Sequence, residues 1–180
     1  MYKILKKYDC GVFRFKIPNF NDERGNFSKI YNYEALLKIG LDFEPKEHFY
    51  SISNKNVLRG LHFQTNKSAH NKIISCIQGS MLDICVDVRE DSKFFNQPIE
   101  IYMNENSNEG IFIPKGFAHG FLSLEDSTIV QYLTDKIHDP NNDKGVLWNS
   151  INYSWPIKKP TLSLRDSSHP NIGVNKWKFF

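Results

Sequence analysis

The chain has 180 residues, of which 40% are hydrophobic and 14% aromatic, and its formal net charge is +3. This composition excludes an intrinsically disordered chain, and the length predicts one domain spanning residues 1–180. The basic residues are not clustered, so we expect no nucleic-acid partner. No apolar run approaches the roughly 18 residues that span a bilayer, and the charged N-terminus is unlike a signal peptide. We therefore expect a cytoplasmic protein without a membrane partner.

The first predicted element is a helix at residues 33–39, preceded by Asn32 as its N-cap and followed by Gly40 as its C′ residue. Short apolar or alternating runs predict strands at 72–78, 81–88, 99–103, 110–114, 120–124 and 129–133. A Gly79-Ser80 turn separates the first two strands, and Gly116 marks a corner. Many short strands separated by turn residues predict an all-β, double-sheet jelly roll with a few short helices.

The strand at 81–88 has two faces of different character. Leu82, Ile84 and Val86 point to one side, whereas Asp83, Cys85 and Asp87 point to the other. In a closed double sheet the polar face either lines an interior cavity or faces solvent. The alternation alone leaves both arrangements open.

The densest chemical signal is the segment at 58–64, which contains Arg59, Gly60 and His62. Arginine beside glycine suits a diphosphate or carboxylate, although a surface salt bridge is an equally open interpretation of Arg59. An isolated histidine is more often structural than catalytic. Lys72 begins a strand, where it either protects a sheet edge or directs a cation into the interior.

Three later residues are weaker candidates. Tyr132 lies in an apolar strand, His119 lies between glycines, and Asp166 is an isolated acid near the C-terminus. The histidines have no His-x-His spacing, so we expect no metal ligands. The usual signatures of P-loop, dinucleotide-binding and serine-hydrolase chemistry are also missing.

Taken together, these segments resemble the dTDP-4-dehydrorhamnose 3,5-epimerase family of sugar-nucleotide cupins. The resemblance extends from about residue 11 to residue 170. The motifs that carry it, in family order, lie at 22–27, 57–64, 83–89, 113–121 and 162–166.

The resemblance implies an isomerase that inverts C3, C5 or both in a nucleotide-diphospho-4-keto-6-deoxy sugar. His62 would be the base and Tyr132 the acid on the opposite face of the ring. Asp166 would orient His62, and Lys72 would stabilise the enolate oxygen. The substrate ketone acidifies both protons, so no metal or other cofactor is expected.

The resemblance also implies a set of substrate-binding residues and a partner. Arg24 and Arg59 would clamp the diphosphate. The other binding candidates are Phe27, Glu47, Phe49, Asp83 and His119. Members of the family are usually homodimers that share N-terminal strands, so we expect a homodimer in which the partner helps to build the pocket.

The chain departs from the family pattern around the substrate. Glu47 and Phe49 replace a Gln-x-Asn pair, and His70 replaces a glutamine. These changes favour a different sugar nucleotide, and we expect a GDP-linked 4-keto-6-deoxy-heptose used for a bacterial surface polysaccharide. The alternative is the dTDP-linked hexose of the rhamnose pathway. A 3,4-ketoisomerase and a non-catalytic sugar-binding cupin are less favoured.

Overall fold

The computed structural model describes residues 1–180 and confirms the predicted all-β fold. The strands are β1 (Lys3–Lys7), β2 (Phe13–Lys16), β3 (Asn19–Asp22), β4 (Gly25–Ser28), β5 (Glu47–Ser53), β6 (Leu58–Gln64), β7 (Lys72–Gln78), β8 (Ser80–Asp87), β9 (Pro98–Asn104), β10 (Glu109–Ile113), β11 (Phe117–Ser123), β12 (Thr128–Thr134) and β13 (Asp143–Gly145). The helices are α1 (Tyr33–Leu37) and α2 (Leu164–Ser167), and 3₁₀ turns occur at Asn66–Ser68 and Trp148–Ser150. No helix is long and apolar enough to cross a bilayer.

The strands form two large antiparallel sheets and one separate hairpin. The six-stranded sheet has the order β1-β2-β10-β7-β12-β5, and the five-stranded sheet has the order β13-β6-β11-β8-β9. Strands β3 and β4 pair only with each other. The largest core cluster joins side chains from both sheets, among them Ile74, Cys85 and Phe121. The two sheets therefore pack face to face around a shared interior, as the jelly-roll prediction requires.

Two further layers cover the outer faces of the sheets. The N-terminal segment and α1 pack on the six-stranded sheet through Leu36 and Phe43. The C-terminal segment covers Ile84 and Val86 on the five-stranded sheet. Strand β8 is consequently buried on both faces. Its polar face points inward, which resolves the alternative that the sequence left open.

The predicted helix is confirmed with its N-cap, although it ends at Leu37 and not at residue 39. The side chain of Asn32 accepts a hydrogen bond from the Ala35 N–H. Gly40 has a φ of +86°, and the next residue, Leu41, donates its N–H to the Leu36 carbonyl. This is the arrangement of a helix end closed by a left-handed glycine.

The six predicted strands all exist, within a few residues at their ends. The predictions missed the first six strands and β13. Strand β1 is rich in lysine because it is an exposed edge, and β5 is also an edge strand with mostly exposed side chains. Edge strands lack a continuous buried face, so their sequences carry little of the expected alternation.

The C-terminal residues are docked on the five-stranded sheet. Trp177 and Phe179 pack against Phe63 of β6, with ring centroids 5.4 and 5.8 Å from that ring. The Lys178 carbonyl also accepts a hydrogen bond from the Asn66 N–H. The tail therefore supports the outer face of the strand that carries His62.

Candidate active site

A cavity of 960 Å³ opens between the two sheets. Eight of the eleven predicted site residues line it: Glu47, Phe49, Arg59, His62, Lys72, His119, Tyr132 and Asp166. They come from both sheets and from α2. Asp83 lies behind this lining, whereas Arg24 and Phe27 lie elsewhere on the surface.

The predicted pairing of His62 with Asp166 is present in the structure. His62 Nε2 lies 2.7 Å from Asp166 Oδ1, and the Gly60 N–H donates to the other carboxylate oxygen at 3.3 Å. The Asp166 side chain is only 6% exposed. Burial opposes its ionisation, but the hydrogen bonds from His62 and Gly60 hold the pKa of Asp166 below its ordinary value. Asp166 is therefore a buried carboxylate that faces the imidazole.

The local sequence explains how β6 presents His62. Leu61 and Phe63 belong to the outer core cluster, so the intervening His62 points to the interior. Gly60 has a φ of +129°, and a Cβ there would lie 2.6 Å from the Gly120 Cα. Gly60 is thus needed for the close approach of β6 and β11, in whose ladder His62 lies opposite His119.

A second imidazole, which the sequence interpretation missed, lies beside this pair. The rings of His169 and His62 meet edge to face with centroids 5.4 Å apart. Burial, and secondly the proximity of His62, lower the pKa of His169. A Cβ on Gly145 would lie 2.4 Å from His169 Nε2, so the glycine leaves the space that this ring fills.

Lys72 points into the cavity and does not protect a sheet edge, because β7 lies between β10 and β12. Its ammonium group donates to the His62 carbonyl at 3.0 Å. Burial lowers the pKa of Lys72 to about 8. The neighbouring His70 is also mostly buried, and burial together with the charge of Lys72 lowers its pKa to about 3. At neutral pH the lysine is therefore mainly charged and His70 is neutral.

Tyr132 faces the cavity from β12, in the sheet opposite the one that carries His62. Its hydroxyl lies 3.2 Å from Ser51 Oγ, and its ring stacks on Phe49 with centroids 4.8 Å apart. The His119 ring meets it edge-on. Burial raises the pKa of Tyr132 above its ordinary value. The phenol is therefore protonated at neutral pH and can act as a proton donor.

His119 and Asp83 form a second imidazole–carboxylate pair. His119 Nε2 lies 2.6 Å from Asp83 Oδ2, and the Asp83 side chain is fully buried. His119 lines the cavity and Asp83 does not. Asp83 is therefore placed to position His119 and has no direct access to a ligand.

The two predicted phosphate-binding arginines lie in different places. Arg59 borders the cavity, and Ser53 Oγ and the Ile52 carbonyl accept hydrogen bonds from its Nε and Nη2. Arg24 lies on the exposed β3–β4 hairpin, where it pairs with Asp22 at 2.6 Å. Phe27 is on the same hairpin and is 60% exposed. Within one chain, neither hairpin residue reaches the cavity.

Several cavity residues were missing from the prediction. Ser51 lies on β5, a strand that was not predicted, so its alternation with Phe49 could not be used. Asp143 pairs with Arg165 at 2.7 Å and with His138 at 3.1 Å. These two pairs join residues from β13, α2 and a loop, and no local spacing signals that they meet.

Comparisons with known proteins identify the family. A family model described as dTDP-4-dehydrorhamnose 3,5-epimerase matches residues 10–173. The chain belongs to the dTDP-4-dehydrorhamnose 3,5-epimerase family. A family member from Shigella flexneri is 35% identical over 166 residues, which are 91% of this chain and 92% of that protein. The Escherichia coli K12 enzyme is 39% identical over 142 residues, 76% of each chain.

The solved structures agree with this assignment. A dTDP-4-dehydrorhamnose 3,5-epimerase from Bacillus anthracis, solved with TDP and PPi bound, is 34% identical, with a TM-score of 0.91. The match covers 95% of this chain and 99% of that one. The protein is thus a sugar-nucleotide epimerase with the cupin-type jelly roll. These relatives are all named for a dTDP-linked sugar, so the comparisons favour the dTDP-linked alternative over the expected GDP-heptose.

Proposed function

We propose that the protein inverts C3 and C5 of a dTDP-4-keto-6-deoxy-hexose. The observation that carries this proposal is the placement of His62 and Tyr132 on opposite sheets of one cavity. Inversion at carbon needs a base on one face of the sugar ring and an acid on the other. A base and an acid on facing sheets meet that requirement.

The first step is removal of the proton next to the C4 ketone by neutral His62. Its Nε2 is turned toward Asp166, so Nδ1 accepts the proton. Asp166 then stabilises the imidazolium that forms, as the buried carboxylate does in hydrolase triads. The C–H electron pair moves into an enolate, whose oxygen is stabilised by the ammonium group of Lys72.

The second step is protonation of the same carbon from the other face. Tyr132 gives its phenolic proton, and Ser51 is positioned to donate a hydrogen bond to the resulting phenolate. A proton must then pass from the imidazolium to the phenolate through solvent before the next turnover. The same two groups serve at C3 and at C5 when the sugar turns in the cavity.

The substrate diphosphate is assigned to Arg59, whose Nη1 makes no hydrogen bond within the chain and is free for a phosphate oxygen. Glu47 and Phe49 border the cavity on the edge strand β5, where they would contact the sugar or the base. His119 would contact the sugar, with Asp83 holding its ring.

We also propose a homodimer in which Arg24 and Phe27 complete the pocket of the partner. Both residues lie on the β3–β4 hairpin, which pairs with neither large sheet of its own chain. The hairpin side chains Phe20 and Phe27 are more than half exposed. The test mixes two inactive variants, His62→Ala and Arg24→Ala. In a mixed dimer, one of the two pockets has both native His62 and native Arg24. An equal mixture of the two variants contains about half mixed dimers, so activity returns toward one quarter of the wild-type value. Mixtures as inactive as either parent would contradict a shared pocket.

The reaction is tested by proton NMR in D2O with a dTDP-linked and a GDP-linked 4-keto-6-deoxy sugar. We expect the C3 and C5 signals of the dTDP-linked sugar to disappear with the wild-type protein and to persist with His62→Ala. Tyr132→Phe should retain exchange but lose inversion, because the base remains and the opposite-face acid is gone. Tyr102→Phe, at an exposed position on β9, is the matched control. Faster exchange of the GDP-linked sugar would refute the dTDP assignment.

A further inference from the structure

Three metal-ligating side chains meet next to the cavity. The imidazole nitrogens of His62 and His169 and a carboxylate oxygen of Asp166 all lie within 4.8 Å of one another. Within this group, Asp166 Oδ1 is 2.7 Å from His62 Nε2 and 3.8 Å from His169 Nε2. The proposed reaction uses His62 and Asp166 and gives His169 no task.

His169 Nε2 has an unusual environment for a buried polar atom. It is inaccessible to solvent and has no hydrogen-bond partner. A buried ring nitrogen without a partner calls for a physical explanation, and a bound ion is one of the few available. The Asp166 carboxylate oxygen that lies 3.8 Å away is an acceptor, and an unprotonated Nε2 is an acceptor too. A cation held by both atoms would remove this conflict.

We propose that His62, Asp166 and His169 form a binding site for a transition-metal ion such as Zn²⁺, and that the bound ion switches the enzyme off. Two imidazole nitrogens and one carboxylate oxygen suit Zn²⁺, Co²⁺ or Ni²⁺, and they do not suit Mg²⁺ or Ca²⁺. Donor atoms about 2.1 Å from a tetrahedral ion lie roughly 3.4 Å apart. The observed 2.7 and 3.8 Å lie on either side of that value, so small side-chain shifts bring the donors into place.

The surroundings hold the three donors in place. His62 is on β6 and Asp166 is on α2, whose N-cap Ser163 accepts the Asp166 N–H at 3.0 Å. His169 follows α2 and rests on Gly145, which pairs with His62 in the β6–β13 ladder. Because His62 and Asp166 border the cavity, a fourth ligand such as water can reach the ion from there.

The inhibitory effect rests on the proposed role of His62. A metal ion on Nε2 replaces the proton that this nitrogen shares with Asp166, so one proton is released for each ion bound. The ion withdraws electron density from the ring, and Nδ1 then no longer accepts the substrate proton. Substrate binding is retained, because Arg59 is not involved. The ion should therefore lower kcat and leave KM nearly unchanged. The reaction itself still needs no metal.

Metal binding is measured first, without substrate, by the visible absorption of Co²⁺ and by equilibrium dialysis of Zn²⁺. We expect one ion per chain and bands typical of four-coordinate Co²⁺. His169→Phe retains the aromatic packing and removes a ligand, so the affinity should fall by at least about tenfold. His138→Phe is the control, because His138 also lies beside a carboxylate, that of Asp143. This variant should bind Co²⁺ like the wild type.

Activity and NMR complete the test. Zn²⁺ should inhibit the wild type reversibly, with recovery on adding EDTA, and His169→Phe should keep full activity while losing the inhibition. In the wild-type protein, long-range imidazole ¹⁵N signals of His62 and His169 should shift with Zn²⁺, which gives a readout that needs no variant. No Co²⁺ binding, or equal binding by His169→Phe, would overturn the proposal. A chain that binds Co²⁺ but exchanges no substrate proton would refute the proposed function and keep the metal site.

Discussion

Replacing Asp166 with asparagine tests the central pair of the site with a minimal change of shape. The carboxylate is 6% exposed and lies 2.7 Å from His62 Nε2. Its proposed role in the reaction is to stabilise the imidazolium that forms when His62 takes the substrate proton. Asparagine keeps the size but removes the charge, and its amide group can hold the imidazole in the wrong tautomer.

The size of the effect follows from the geometry. The charge centres of an imidazolium and this carboxylate are about 4 Å apart, and at an effective dielectric constant of about 20 their attraction is worth about 4 kcal/mol. If the transition state loses that amount, kcat falls by about 10³-fold. KM should change little, because Asp166 stabilises charge that is absent before proton transfer.

The assay is the steady-state rate of epimerisation of the dTDP-linked substrate, with the protein checked by circular dichroism. Asp143→Asn is the matched control, because Asp143 also borders the cavity beside a histidine but faces His138. We expect the control to remain within about tenfold of the wild type, since screened ion pairs contribute up to about 1 kcal/mol. A kcat for Asp166→Asn within tenfold of the wild type would refute the assigned role.

Three further predictions concern pH and backbone geometry. Because burial lowers the pKa of Lys72 to about 8, kcat should fall as pH rises through that value. If the pH profile of kcat for Lys72→Arg falls at the same alkaline pH, the fall does not come from Lys72 and the prediction is wrong. His70, with a pKa of about 3, stays neutral when folded but binds a proton when unfolded below pH 6.5, so stability falls with acid. His70→Gln should remove about 2 kcal/mol of the loss in unfolding free energy between pH 7.5 and 5, measured by urea titration, and an unchanged loss would contradict the assignment. Gly60→Ala should lower the free energy of unfolding by about 3 kcal/mol or more, because the new Cβ meets the Gly120 backbone. Gly40→Ala also has a positive φ but meets open space, so it should cost about 1–2 kcal/mol. Equal losses in the two variants would disprove the close-approach argument.

The sequence was most informative where a strand is regular and buried. Strands β7 to β12 were predicted because apolar runs and turn residues mark them, and α1 was predicted from its caps. The face of β8 that carries Asp83 could not be assigned, because both faces are buried by different layers. The covering layer comes from the C-terminal segment, about 70–90 residues farther along the chain, so no local pattern contains this information.

The site shows a similar division. His62, Tyr132, Lys72 and Asp166 were proposed through motif order, and the structure brings all four to one cavity. His169 could not be found in this way. Its proposed part in metal binding depends on contact with His62 and on the space left by Gly145, and neither feature follows from spacing along the chain.

Two of the departures from the family pattern lie apart from the residues proposed for proton transfer, whereas the third, His70, neighbours Lys72. Glu47 and Phe49 lie on β5, an edge strand at one side of the cavity, whereas His62 and Lys72 lie on interior strands of their sheets. An edge strand has a neighbour on only one side, so its side chains can change with little effect on core packing. His62 is held between β11 and β13, and changes there would disturb two ladders at once. One contact nevertheless links the two regions, because Phe49 stacks on Tyr132. A change on the edge strand can thus alter the position of Tyr132, the proposed acid.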